Sequence, residues 1–74
     1  MKTKYNVYSE VGRNPYGQPV LELIEVFKGD KNEANAIRFI EDPQNLQKHG
    51  IMILMKRDKN GESYEWNEDE RRWC

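Results

Sequence analysis

The chain has a single cysteine, Cys74, at the last position. No intramolecular disulfide can form and no cysteine-based zinc site can be assembled. Small secreted domains usually lean on such crosslinks, so the expectation is a soluble protein of the reducing cytoplasm. Histidine is equally scarce: His49 stands alone, which excludes a paired-histidine metal site and any relay that needs two imidazoles. Long hydrophobic runs are missing too. The longest, Ile51-Met52-Ile53-Leu54-Met55, is too short to cross a bilayer, and no apolar stretch follows the charged start Met1-Lys2-Thr3-Lys4, so neither a membrane span nor a signal peptide is expected. Nor is there an excess of charge of one sign. Twelve Lys and Arg offset thirteen Asp and Glu, leaving −1, which removes the simplest argument for a nucleic-acid-binding surface.

What is present is enough for one small core. Of 74 residues 36% are apolar, so a single thin domain is expected over residues 1–66, followed by a charged segment, residues 67–74, that extends the last strand, forms a turn or frays. Asn14-Pro15-Tyr16-Gly17 carries turn-forming residues in type I order. Pairing outward from Asn14 opposite Gly17 puts Ser9 opposite Glu22, Val7 opposite Ile24 and Tyr5 opposite Val26. One face of this hairpin then carries Tyr5, Val7, Val11, Val20, Ile24 and Val26.

Asp30-Lys31-Asn32-Glu33 has the spacing of a capping box, with Asp30 as N-cap of a helix over residues 31–41. Ala36, Ile37 and Ile40 lie on its packing arc, flanked by Ala34 and Phe39. Asp42-Pro43 restarts a second short helix that Gly50 ends. A second hairpin follows, residues 51–57 and 62–66 around Asp58-Lys59-Asn60-Gly61. Either a two-residue or a four-residue loop there puts Ile51, Ile53, Met55, Tyr64 and Trp66 on one face and Met52 and Leu54 on the other. The expected fold is α+β: two β-hairpins in β-β-α-β-β order make a mainly antiparallel four-stranded sheet. One helix and a short helical turn pack on the face containing Val7, Ile24, Ile53 and Trp66.

Chemistry-bearing patterns are sparse. His49 falls at a helix C-terminus, where an imidazole complements the dipole. Ser9 and Ser63 lie on strands outside any nucleophile elbow, and a terminal Cys74 is not held in place for catalysis. Glu65, Glu68, Asp69 and Glu70 lack the Asp/Asn alternation and central glycine of a calcium loop. Gly12, Gly17 and Gly29 do not have phosphate-loop spacing. No catalytic residue, metal ligand or cofactor site is assigned.

The surplus of apolar residues is the remaining clue. Tyr8, Leu21, Leu23, Phe27, Met52 and Leu54 are expected on the sheet face the helix does not cover, with Trp73 available to cover it from the C-terminal segment. The leading expectation is a non-enzymatic protein-interaction domain. It would be a small inhibitor or adaptor, of the kind found among bacterial accessory and bacteriophage proteins, binding a protein partner or a second copy through this face or an edge strand. The alternatives are a nucleic-acid binder using Lys4, Arg13, Tyr16 and Lys28, and an oligomeric small-molecule binder.

Overall fold

A computed structural model describes residues 2–74. Strands β1 (Lys4–Arg13) and β2 (Pro19–Lys28) form the first hairpin, and a 3-10 turn (Asp30–Asn32) leads into α1 (Glu33–Glu41) and α2 (Pro43–His49). Strands β3 (Met52–Arg57), β4 (Ser63–Asn67) and β5 (Arg72–Trp73) complete the chain. All pairings are antiparallel, in the order β2-β1-β3-β4-β5. The α+β class and helices on one face agree with the sequence reading. The sheet has five strands rather than four, because the charged C-terminal segment turns back on β4 and Cys74 exchanges two backbone hydrogen bonds with Glu65.

Both hairpin turns use the same device. Asn14 N donates to Gln18 O and Gly17 N to Asn14 O, while the Asn14 side-chain oxygen accepts from Tyr16 N and Gln18 N. Asp58 repeats this with Glu62, Gly61 and Asn60. Gly17 (φ 80°) and Gly61 (φ 87°) take the left-handed conformation that converts a type I turn into a three-residue loop ending in a bulge. The turn residues alone suggest loops of two or four residues. The odd loop shifts each turn-proximal register by one residue, so Arg13 faces Pro19 and Lys56 faces Tyr64.

That shift inverts the faces of β3. Met52, Leu54 and Lys56 lie on the helix side with Tyr64 and Trp66, whereas Ile53 and Met55, expected in the core, lie on the far side. Ile51 precedes the strand and is 77% exposed. In the first hairpin two bulges intervene. An extra residue at Val11 in β1 restores the expected pairing for Ser9 with Glu22, and an extra residue at Ile24 in β2 shifts it back, giving Val7–Glu25, Asn6–Val26, Tyr5–Phe27 and Lys4–Lys28. Phe27 therefore joins the core and Val26 leaves it. Val11 and Val20 are exposed on the ribbon that extends past the end of β3.

Tyr5, Val7, Ala36 and Leu54 are the buried centre, with Ile24, Phe27, Ile37, Phe39, Ile40, Met52, Trp66 and Trp73 packed around them. The helices sit much as expected, except at the first cap. Asp30 begins the 3-10 turn instead of capping α1, whose N-cap Asn32 makes no side-chain capping bond, and Ala34 is exposed. Asp42 does cap α2, accepting from Gln44 N at 2.9 Å, and Gly50 (φ 72°) ends it with its N–H on Leu46 O. Buried Ser9 donates its hydroxyl to His49 O at 2.8 Å, tying β1 to the end of α2.

Candidate functional site

The face opposite the helices has no covering layer among the described residues. Parity and register give its layout row by row. Leu23, Tyr8 and Ile53 stand side by side on β2, β1 and β3; the next row is Val26, Asn6, Met55 and, on β4, Glu65. Leu21 and Glu10 lie beyond the first row, and Lys28, Lys4 and Arg57 beyond the second. Leu21 and Leu23 are 41% and 50% exposed, and Tyr8, Val26, Ile53 and Met55 are half-buried. The result is an apolar strip two rows deep, bounded at one end by three adjacent cations.

Of the seven interface candidates read from the sequence, Tyr8, Leu21 and Leu23 lie on this face. Phe27, Met52, Leu54 and Trp73 do not: all four belong to the helix-side core, with Leu54 only 1% exposed. The Ile24 bulge moved Phe27, and the three-residue Asp58 turn moved Met52 and Leu54. Trp73, available from the C-terminal segment to cover the open face, does not reach it. It packs instead against Tyr5 and Trp66, at ring separations of 5.8 and 5.2 Å, and donates its indole N–H to Glu33. Val26, Ile53 and Met55 take the vacated positions. The repeated Asx-x-x-Gly spacing at residues 14–17 and 58–61 was the signal that could have found the second hairpin's register.

The nucleic-acid candidates divide between two ends. Lys4 and Lys28 are cross-strand neighbours, but Arg13 and Tyr16 lie at the far turn, nine residues or roughly 30 Å along β1 from Lys4. There Arg13 donates to Gly17 O and lies 3.6 Å from Glu10. Lys2, Lys31 and Lys59 join the Lys4 end: two surface hollows there are lined by Lys2, Lys4, Lys28, Lys31, Arg57 and Lys59, with Asp30 and Asp58 as the acids among their walls. None of these six cations is in an ion pair among the described residues; the pairs found involve Arg13, Arg71 and Arg72. A chain that is neutral overall thus concentrates half of its basic residues at one end.

The sheet edges are poorly suited to accepting a strand. β5 is two residues long, β2 is interrupted by the Ile24 bulge, and the Val26 N–H is taken by the neighbouring Glu25 carboxylate at 3.0 Å.

The other concavity is a groove of about 400 Å³ between the helices and β3–β4, with Ile40, Leu46, Met52 and Trp66 in its walls. Glu41 and Glu68 stand at its rim. Arg71 binds Glu41 at 2.6 Å and lies 3.5 Å from Glu68, and its hydrogen bond holds the Glu41 carboxyl below the usual glutamate range. Glu68 shares a hydrogen bond with Glu41, which raises its pKa, and accepts from the Trp66 indole at 2.8 Å. These contacts fasten the β4–β5 turn to α1. They account for the acids by cohesion and aim no reactive group into the groove. His49 likewise stacks its ring on Phe39, and the Cys74 thiol is exposed. Among the described residues no group of three or more His, Cys, Asp or Glu side chains could hold a metal ion, and no helix is long and apolar enough to cross a membrane.

No family model matches this chain, and neither the curated proteins nor the solved structures include one detectably similar to it.

Proposed function

We propose that this protein is a non-enzymatic protein-interaction domain of the cytoplasm, a small inhibitor or adaptor, and that its working surface is the open sheet face. The observation that carries the reading is the strip of Leu21, Leu23, Tyr8, Val26, Ile53 and Met55. It spans three adjacent strands with no layer packed on it among the described residues. Six neighbouring apolar side chains left to water on a chain this small are better explained by a partner than by chance. Between face and edge, the bulged and self-capped β2 edge favours the face.

The nucleic-acid alternative draws support from the clustered lysines but loses its stacking platform. Tyr5, Phe27, Tyr64, Trp66 and Trp73 stand on the helix side and Tyr16 lies at the turn, which leaves Tyr8 as the one aromatic ring on the open face. The test is a photo-crosslinking amino acid placed at Leu23, with Gln47 on α2 as a control, in the cells the protein comes from. The expected result is a discrete protein adduct from position 23 that position 47 does not give and that Ile53→Glu abolishes. Equal labelling from both positions, or none from position 23, refutes the proposal.

A further inference from the structure

We infer that the partner seated on the open face is an amphipathic helix with an acidic end that lies over the Lys28–Lys4–Arg57 row. This rests on the reading of that face as an interface and specifies what occupies it. The backbone groups of β1 and β3 are already used in the sheet, so the face offers only side chains. An extended peptide laid flat on it would bury its own N–H and C=O groups without partners. A helix brings a self-satisfied backbone, and its diameter of roughly 10 Å suits a strip whose three strands lie about 4.8 Å apart.

The charges select the chemistry. Lys28, Lys4 and Arg57 are direct cross-strand neighbours, an arrangement that costs stability in the free protein, and none has a carboxylate within ion-pair distance among the described residues. A partner that supplies acids there gains from neutralising them. A second copy does this badly. A two-fold axis parallel to β1 stacks the two basic rows on each other, and an axis across the strands sets each row over Leu21 and the single acid Glu10. Acids in the first turns of a helix also stabilise that helix through its dipole.

The probes are three: an 18-residue helical peptide with a leucine stripe and glutamates in its first two turns, the same peptide with lysines in place of the glutamates, and a 15-nucleotide oligo(dT). Binding of the labelled probes to the full chain is followed by fluorescence anisotropy. The glutamate peptide should bind saturably, at least about tenfold tighter than the lysine peptide. It should weaken by about tenfold or more with Lys4→Glu/Arg57→Glu. Leu23→Glu should weaken it as well, while Arg38→Glu on α1 leaves it unchanged. Equal binding of both peptides, insensitivity to the Lys4/Arg57 reversal, tighter binding of oligo(dT), or a wild-type dimer that buries Leu23 would each overturn the inference. Absence of peptide binding together with a Leu23-specific adduct in cells would overturn the acidic-helix occupant and leave the interface standing.

Discussion

Replacing Lys4 by glutamate should make the free protein more stable. Lys4 faces Lys28 on one neighbouring strand and Arg57 on the other, so its ammonium group lies between two like charges. Directly opposed cross-strand charges change stability by about 0.2–1 kcal/mol per pair, and Lys4→Glu turns two repulsive pairs into two attractive ones. Asp58 shares the hollow with Lys2, Lys4 and Arg57 and would repel the new carboxylate, and the three cations are exposed, so the net gain is set at about 1 kcal/mol. For a domain of this size that corresponds to a rise in Tm of roughly 4–8 °C. Calorimetry at several ionic strengths separates the charge effect from strand propensity. The gain should be largest near 0.01 M salt, where the Debye length is about 30 Å, and nearly gone at 1 M, where it is about 3 Å. Lys4→Gln should give about half of the low-salt gain. A Tm that falls, or a gain indifferent to salt, would refute the idea that this row is electrostatically strained.

Five further substitutions probe the rest of the structure. Gly17→Ala and Gly61→Ala should each cost about 1–2 kcal/mol in urea unfolding. Their φ values are 80° and 87° and nothing lies near the added methyl, so the penalty is conformational. Ser9→Ala removes the donor to His49 O and should cost about 1 kcal/mol, with faster amide exchange at Gly50 at the end of α2. Trp73→Ala should cost about 3 kcal/mol or more and release β5, seen as a change in the remaining Trp66 fluorescence. The Glu41–Glu68 pair predicts opposing pH effects. Arg71 holds the Glu41 pKa down, so its stabilisation is present above the ordinary glutamate value and lost as pH falls through the lowered one. Glu68 is raised by its bond to Glu41, so its contribution is present in acid and lost as pH rises through the raised pKa. Glu68→Gln removes the second effect, and its stability relative to wild type should climb as pH rises above the ordinary glutamate value, read from urea midpoints.

The helical half of the fold was legible in the sequence because its signals are local. Asp42-Pro43 and Gly50 bound α2 through contacts made within a turn of themselves, and the 3.6-residue spacing of Ala36, Ile37 and Ile40 needs no knowledge of the sheet. The sheet was legible only as pairs of strands. A strand's two faces are separated by one residue, so a loop of three residues in place of two or four exchanges them completely. That is what happened at Asp58-Lys59-Asn60-Gly61, where a correctly located turn with a miscounted loop put Leu54 outside and Ile53 inside.

The open face suffered the same exchange and still carried apolar groups, and this has a physical reason. Strand β3 reads Met-Ile-Leu-Met over residues 52–55, so either parity leaves one leucine- or isoleucine-bearing side away from the helices. Residues 20–24 of β2, Val-Leu-Glu-Leu-Ile, are apolar at both parities apart from Glu22. Strands apolar on both sides are what a sheet covered on both faces requires, yet this chain supplies helices for only one. The existence of an uncovered apolar face therefore follows from composition and helix count, whichever way the turns fall. Its membership depends on two bulges and two loops. The basic row at its end could not be read at all, because Lys4, Lys28 and Arg57 come from three strands and become neighbours only when the order β2-β1-β3 is known. Net charge concealed it: six cations at one end, without ion-pair partners among the described residues, vanish in a sum of −1, and an acidic partner would respond to the local field and not to the sum.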